Sequence, residues 1–160
     1  MWGVKGQGFT LFKIGVLWVM MLVFGGCKKE SERSQKIKPP IRSYVVTARI
    51  DKKGANTDSE GTAVLKGKYD EGSKLLSYTL EYERLLPEQI SLRNGVKGSK
   101  GSLIQEIKLP AGSTKPVPLS GGIVLTPLQE RNLLKGYWFV AINTLQRSPE
   151  ISGILTLKQI

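Results

Sequence analysis

After residue 43 the sequence alternates between short apolar runs and clusters of Gly, Pro, Asn and Asp. Side chains of a β-strand point alternately to its two faces, so residues two apart share a face. One predicted strand places four large apolar residues on one face: Leu76, Tyr78, Leu80 and Tyr82. Short strands separated by turn residues favour a β-sandwich or a β-barrel. We therefore predict one all-β domain, residues 43–160, built as a Greek-key-like antiparallel β-sandwich or barrel.

The same pattern predicts eight strands and one short helix. The predicted strands are 44–50, 62–69, 74–82, 88–92, 103–109, 122–125, 137–143 and 151–158. The helix is predicted near 127–135, because Thr126 suits the N-cap, Pro127 the first helical position and Gln129 the third. Gly136 is a natural residue to end it. Three leucines give the helix an apolar side: Leu128, Leu133 and Leu134.

A short apolar segment near the start of the sequence has the organisation of a signal peptide. Residues 14–24 are almost entirely apolar, Lys13 precedes them, and Gly25 and Gly26 stand directly before Cys27. A basic region, an apolar core and small residues before the cut form the order of a secretory signal. A helix over the apolar segment would span about 17 Å, short of the ~30 Å hydrocarbon core of a bilayer. The sequence therefore favours a signal peptide over a transmembrane helix.

The segment resembles the signal peptides of bacterial lipoproteins, in which small residues precede an obligatory cysteine. The resemblance implies cleavage between Gly26 and Cys27, so that residues 1–26 are the signal peptide and Cys27 carries lipid on its sulfur and on its new amino group. Phe24 departs from the pattern, because an aliphatic residue is commoner at that position. Several acyl chains hold a protein stably on a membrane, whereas one chain binds only marginally. The alternatives are an uncleaved helix and a free or buried thiol.

Residues 27–42 form the predicted lipidated cysteine and a flexible tether. Six basic and two acidic side chains give residues 28–42 a net charge of +4, and so polar a segment buries too little apolar surface to order itself. Basic residues beside a lipid add attraction to anionic head groups, although a solubilising spacer explains them as well. We expect a cell-envelope protein attached to a membrane through its lipid. The lipoprotein resemblance implies the outer membrane rather than the inner one, because Lys28 and not Asp follows the cysteine. Both surface and periplasmic orientations stay open.

Two residue counts restrict the chemistry of the chain. It has no histidine and one cysteine, which excludes a Ser-His-Asp or Cys-His nucleophile and any zinc or copper site built from His and Cys. We predict no catalytic residue, no metal and no cofactor. Glu81, Glu83 and Glu88 leave a carboxylate-dependent hydrolase as a disfavoured alternative, because no second acid clearly opposes them on another strand.

The order of the β-elements resembles the CHRD domain, a family named from chordin and found in many bacterial proteins. The motifs that carry the resemblance are 44–48, the strand that begins Gly61-Thr62-Ala63 with its hairpin to 76–80, Leu125-Thr126-Pro127, and the closing stretches 136–144 and 150–155. The resemblance covers about 44–157 and implies a β-domain, which in animal relatives is a protein-binding module. The family usually carries His-Ile-His where this chain has Gln89-Ile90-Ser91, and often a further His where it has Asn143. The resemblance thus supports the fold and weakens an enzymatic function.

A Gly- and Lys-rich loop follows the fourth predicted strand. It lacks the G-x-x-x-x-G-K-[ST] order of a phosphate-binding loop, but Arg93, Lys97 and Lys100 are candidate contacts for a polyanion. From residue 43 onward sixteen basic and eleven acidic residues give a net charge of +5. An anchored, exported location disfavours nucleic acid and favours an acidic glycan, a lipid head group or an envelope protein as partner. A solvated basic surface without a partner explains the charge equally well.

Three adjacent aromatic residues stand in the predicted strand 137–143. Strand alternation sends Trp138 to the opposite face from Tyr137 and Phe139, which predicts core packing with one partly exposed ring or, alternatively, a binding surface. Taken with the anchor, the sequence predicts a membrane-attached, non-catalytic binding or adhesion domain of unidentified ligand. The alternative from another class is a structural envelope lipoprotein that scaffolds a membrane complex.

Overall fold

The computed structural model describes residues 40–96, 98–110 and 116–160. The predicted signal peptide, Cys27, most of the tether and Lys97 lie outside these ranges. Two antiparallel sheets pack against each other, which confirms the predicted all-β sandwich. The described elements are β1 Ser43–Ile50, α1 Lys52–Ala55, β2 Thr62–Asp70, β3 Leu75–Glu83, β4 Gln89–Asn94, β5 Ser102–Ile107, β6 Leu119–Val124, α2 Pro127–Leu134, β7 Trp138–Asn143, β8 Ile151–Ile154 and β9 Thr156–Gln159. None of the helices in this part of the chain has the length and apolar character needed to span a membrane.

The strand order is β6-β3-β2-β1-β9 in the five-stranded sheet and β5-β4-β7-β8 in the four-stranded sheet. Neighbouring strands are antiparallel throughout both sheets. The hairpin predicted between the second and third strands is confirmed by a continuous register from Thr62↔Glu83 to Asp70↔Leu75. The chain passes from one sheet to the other after β3, β5, β6 and β8, so neither sheet is complete until most of the chain is in place.

The hydrophobic core lies between the inner faces of the two sheets. The predicted apolar face of β3 is confirmed, because its four members are at most 6% exposed: Leu76, Tyr78, Leu80 and Tyr82. On β7 the inner face consists of Trp138, Val140 and Ile142, each fully buried. Burying one large apolar side chain stabilises a fold by about 1.5–3 kcal/mol, so these two faces carry much of the stability.

The predicted strand 151–158 is wrong in one respect, because it is two strands in different sheets. β8 ends at Ile154 in the four-stranded sheet, and β9 begins at Thr156 in the five-stranded sheet. Between them Leu155 is 1% exposed, and its N–H donates to the carbonyl oxygen of Trp138 at 2.8 Å. Strands that change sheets form the corners of a sandwich. The apolar pattern conceals the corner, since Leu155 points into the core that both sheets share.

β6 begins at Leu119, three residues before the predicted start at residue 122. The predicted strand leaves out residues 119–121. Gly121 instead pairs with Tyr78 of β3, and a Cβ at Gly121 would lie 2.6 Å from the Tyr78 hydroxyl. The glycine is therefore a strand residue that leaves room for the tyrosine side chain.

Between β1 and β2 the polar residues around 53–56, which the sequence predicts as a turn, form a single turn of helix, α1. The Asp51 carboxylate caps it by accepting a hydrogen bond from the Lys53 N–H at 2.9 Å. Asn56 ends it with φ 57°, a left-handed conformation that asparagine adopts more readily than most residues. The same residue types therefore specify a capped helical turn, which places Lys53 beside the four-stranded sheet.

The helix predicted near 127–135 is confirmed as α2. The Thr126 hydroxyl accepts from the Gln129 N–H at 3.3 Å, and the Gln129 side chain accepts from the Thr126 N–H at 2.9 Å. Only Leu133 of the three leucines is buried, whereas Leu128 and Leu134 are 57% and 41% exposed. The helix thus contacts the core through a narrower stripe than the sequence predicts.

An ionic contact attaches α2 to the hairpin of β2 and β3. Glu130 accepts hydrogen bonds from the Tyr69 hydroxyl at 2.6 Å and from the Lys74 ammonium group at 2.7 Å. Desolvation raises the pKa of Glu130, but the hydrogen bonds from Lys74 and Tyr69 outweigh it, and the net pKa lies below the ordinary value. Burial and the same carboxylate raise the pKa of Tyr69. The contact therefore favours a charged Glu130 and a neutral Tyr69.

Candidate functional site

A cleft of about 870 Å³ opens on the outer face of the four-stranded sheet. Residues of α1, of the loop between β4 and β5, and of the turn between β7 and β8 form its walls. We call it the basic cleft, after the four basic side chains that line it: Arg49, Lys53, Arg93 and Lys100. Its volume lies within the range of small-ligand sites.

Three cross-strand rows form the floor. Since alternate residues of β4 and β7 fill the core, the intervening residues face outward. The rows, from one end of the sheet to the other, are Gln89↔Asn143, Ser91↔Ala141↔Ser152 and Arg93↔Phe139↔Ile154. The middle row contains only small side chains, which leaves a depression between two rows of larger ones. Ser91 in that row is fully buried, and its hydroxyl has no hydrogen-bond partner among the described residues.

The first row carries two amides. The Asn143 Nδ2 donates a hydrogen bond to the Gln89 Oε1 at 3.1 Å, and both side chains are partly exposed in the cleft. The cross-strand register fixes the two residues opposite each other. This end of the floor is therefore polar and uncharged.

Arg93 connects the floor to the wall. Its Nε donates to the Lys100 carbonyl oxygen at 2.7 Å and its Nη2 to the Gly101 carbonyl oxygen at 3.2 Å. Gly101 has φ 59°, and a Cβ there would lie 2.8 Å from the Phe139 ring. A guanidinium group has five N–H donors, so two hold the loop and the others stay available to a ligand.

Two of the three predicted polyanion contacts are brought together in the basic cleft. Arg93 and Lys100 line the same wall, and Lys97 lies outside the described residues. The sequence analysis missed Arg49 and Lys53, which line the cleft from β1 and α1. No sequence motif marks these two residues as part of the site. Residues 49–53 lie more than ninety residues before the edge strand β8, and only the fold brings them beside it.

The acidic residue in the cleft is engaged in local contacts. The Asp51 carboxylate lies 3.3 Å from the Arg49 Nε and caps α1 through the Lys53 N–H. Four basic side chains and one acidic side chain among the lining residues leave a net charge of +3. A cleft of one sign focuses the field and raises the local concentration of ligands of the opposite charge.

The junction that closes this end of the cleft depends on two glycines. A methyl group at Gly54 would overlap the Ser152 carbonyl oxygen, and one at Gly153 would overlap the Arg49 carbonyl oxygen. The backbones of Asp51 and Ser152 exchange two hydrogen bonds, each of 3.2 Å. Glycine permits a close approach of backbones that no other residue allows, and this approach brings β1 and α1 to the edge of the four-stranded sheet.

The positions that the CHRD resemblance compares with histidines lie together on the floor. Gln89 and Asn143 form the amide pair, and Ser91 is in the adjacent row. Amides and hydroxyls are hydrogen-bonding groups, whereas imidazole is the common ligand of transition metals. In the part of the chain that the structure describes, no three carboxylate or thiol side chains are grouped so that they could hold a metal ion.

The candidate carboxylates lie elsewhere. Glu81 and Glu83 are exposed on the outer face of β3, where their cross-strand neighbours on β2 are Val64 and Thr62. Glu88 is exposed immediately before β4. None of the three glutamates lines the basic cleft.

The three adjacent aromatics divide between the two faces of the sheet. Trp138 is fully buried in the core, Tyr137 is 43% exposed, and Phe139 is 8% exposed on the cleft side. The prediction of core packing with one partly exposed ring is confirmed. Phe139 lies next to Ala141 and Ile154 and forms with them the apolar part of the floor.

Comparison with protein-family models, with curated proteins and with solved structures finds no match to this chain.

Proposed function

We propose that this chain is an exported lipoprotein that presents a non-catalytic β-sandwich on a membrane and binds an anionic envelope ligand in the basic cleft. The observation that carries the proposal is the cleft itself, with its net charge of +3 above a floor that carries the Gln89–Asn143 amide pair. An acidic glycan and an anionic lipid head group both have the required charge. The anchor at Cys27 would hold this binding site close to the envelope surface.

The charge arrangement supports an anionic ligand. Asp51 is occupied by Arg49 and by the N-terminus of α1. Lys53 and Lys100 are exposed, and neither ammonium group makes a hydrogen bond to another described residue of the cleft. Exposed cations in a concave surface attract anions without the cost of breaking an existing pair.

A divergent CHRD domain is part of the same proposal. The order of motifs along the chain supports it, as does the proximity of positions 89, 91 and 143 on one sheet face. A family whose histidines occupy these positions would have its functional groups in the same place as this cleft. The proposal therefore places the functional site of this chain and that of such relatives on the same sheet face, with amides and a hydroxyl here in place of imidazoles.

The anchor is tested by replacing Cys27 with alanine in the full chain expressed in bacteria. We expect Cys27→Ala to lose labelling by radioactive palmitate and to leave the membrane fraction, because the acyl chains on Cys27 supply the attachment. The neighbouring substitution Lys28→Ala is the control and should keep both label and membrane attachment. A Cys27→Ala protein that resists extraction from membranes by carbonate would show that an uncleaved helix is the anchor instead.

Anion binding is tested with the full chain in neutral detergent, by calorimetric titration with two compounds that carry three carboxylates, tricarballylate and trigalacturonate. We expect the double substitution Lys53→Gln, Lys100→Gln to weaken binding of both about five- to tenfold, since each exposed ion pair contributes about 0.2–1 kcal/mol. Raising NaCl from about 0.05 M to about 0.5 M should weaken wild-type binding further, because salt screens exposed charges.

The matched control removes the same charge from the other sheet. Lys66→Gln, Lys158→Gln changes two exposed lysines of the five-stranded sheet that do not line the cleft. It should leave both affinities within about twofold of the wild type. Equal losses in the two double variants would mean that net charge, not the cleft, binds the anions, and the proposed site would be rejected.

A further inference from the structure

We infer that the ligand of the basic cleft is an acidic saccharide, whose hydroxyl groups bind the Gln89–Asn143 amide pair while its carboxylates contact the basic wall. The inference rests on the proposed anion-binding function and names the class of its ligand. The observation that carries it is a pair of neutral amides on the floor. Attraction between opposite charges does not explain why a cleft for anions would contain them.

The amide pair has unused donors and acceptors in every arrangement. Each primary amide has one carbonyl oxygen and one NH₂ group. A single hydrogen bond between Gln89 and Asn143 uses the oxygen of one and the nitrogen of the other, whichever way round the two are placed. One carbonyl oxygen and one NH₂ group are left, and among the described residues neither makes a side-chain hydrogen bond. Both side chains are partly exposed in the cleft.

An adjacent donor and acceptor match a particular kind of ligand group. A hydroxyl donates and accepts at once, whereas an ionised carboxylate or phosphate only accepts. A carboxylate placed over the pair would be attracted by the NH₂ group and repelled by the carbonyl oxygen. The floor therefore favours hydroxyls at the end near Gln89, and Arg93 with the neighbouring Lys100 favours anions at the other end.

The distance between these ends suits an extended ligand. Gln89 and Arg93 are four residues apart on β4, which corresponds to about 13 Å of strand. The small side chains of the row between them, Ala141 and Ser152 among them, leave the floor open over that distance. A chain of acidic sugars carries hydroxyls and a carboxylate on every unit, so it can place hydroxyls at one end of the floor and a carboxylate at the other.

A peptide also carries donors and acceptors, but the floor cannot pair with its backbone. β4 is bonded on both sides, to β5 and to β7, and β7 is bonded on both sides, to β4 and to β8. The outer side of the edge strand β8 is occupied at Ser152, whose backbone exchanges two hydrogen bonds with that of Asp51. An extended peptide usually binds by adding a strand to a free edge. In the basic cleft a peptide would be restricted to side-chain contacts, whereas a saccharide uses its hydroxyls directly.

The test compares three trivalent anions on the full chain in neutral detergent: trigalacturonate, which has hydroxyls, tricarballylate, which has none, and a blocked tripeptide of glutamate. We expect wild-type protein to bind trigalacturonate about tenfold more tightly than tricarballylate, the factor that one additional hydrogen bond supplies. Gln89→Met, a change of similar volume, should remove this preference, so that trigalacturonate and tricarballylate bind to it within about twofold of each other. Gln159→Met, an exposed amide on β9, is the control and should change neither.

The outcomes separate the inference from the proposed function. Equal binding of the three anions, still weakened by Lys53→Gln, Lys100→Gln, would keep the anion site and overturn the saccharide. Tightest binding of the glutamate peptide with sensitivity to Gln89→Met would overturn it in favour of a peptide ligand. Gln89→Met could also lose binding of both tricarballylate and trigalacturonate while its unfolding transition is unchanged. That result would show that the amide pair does not bind hydroxyl groups selectively. Binding of none of the anions to the wild type would reject the proposed function itself.

Discussion

Replacing Gly153 with alanine is expected to lower the free energy of unfolding by about 2–4 kcal/mol. The added methyl group would overlap the Arg49 carbonyl oxygen and would lie 2.9 Å from the Ile50 Cα. All these neighbours are backbone atoms, so no side-chain rotation relieves the overlap. β8 and the end of β1 would have to separate, which also moves Arg49 and Asp51 away from the floor of the basic cleft. Binding of the trivalent anions should weaken in the same variant.

Denaturant unfolding of the full chain in neutral detergent measures the effect, with Gly122→Ala as the matched control. Gly122 is also a strand glycine, but a Cβ there would meet its nearest atoms at 3.5 Å, which is ordinary van der Waals contact. The control should change the free energy of unfolding by less than about 1 kcal/mol. Similar losses in the two variants would mean that the cost comes from replacing a strand glycine in general and not from the approach of β8 to β1.

The parts of the fold that follow from local chemistry are predictable from the sequence. Alternation on β3 identifies its buried face, because residues two apart must share a side of the sheet. The capping box at Thr126 and Gln129 identifies the start of α2, because its two hydrogen bonds involve residues three apart. In both cases the determining contacts join near neighbours in the chain.

The parts that the sequence does not reveal depend on contacts between distant residues. The predicted strand 151–158 divides into β8 and β9 because its two parts join different sheets. An apolar residue at Leu155 is compatible with one continuous strand and with two. Gly121 falls outside the predicted strand, and only the Tyr78 side chain packed against it explains a glycine at that strand position. A glycine is compatible with both a turn and a crowded strand, so only the tertiary neighbour distinguishes the two.

The site was predictable to a similar degree. Arg93 and Lys100 were identifiable because they flank a short basic loop. Arg49 and Lys53 join them only through the close backbone contact of residues 51 and 152. The amide pair is harder to predict from the sequence. Gln89 and Asn143 belong to no motif, and only the cross-strand register of β4 and β7 places them opposite each other.

Replacing Trp138 with alanine is expected to have the largest effect of any single truncation, a loss of about 3–5 kcal/mol in the free energy of unfolding. Trp138 is the largest of the fully buried side chains, and it lies on the inner face of β7 between the two sheets. Removing it opens a cavity that strands on both sides cannot fill without shifting. Tyr137→Ala is the control, since that ring is 43% exposed and should cost much less.

Trp138→Phe distinguishes lost packing from lost hydrogen bonding. The indole N–H is buried and has no hydrogen-bond partner among the described residues, so phenylalanine removes a group that gains nothing from burial. We expect Trp138→Phe to cost about 1–2 kcal/mol, below the loss in Trp138→Ala, because the remaining ring still fills most of the space. If phenylalanine costs as much as alanine, the indole N–H must have a partner that stabilises it, and the core around β7 would then be held by a polar contact as well as by packing.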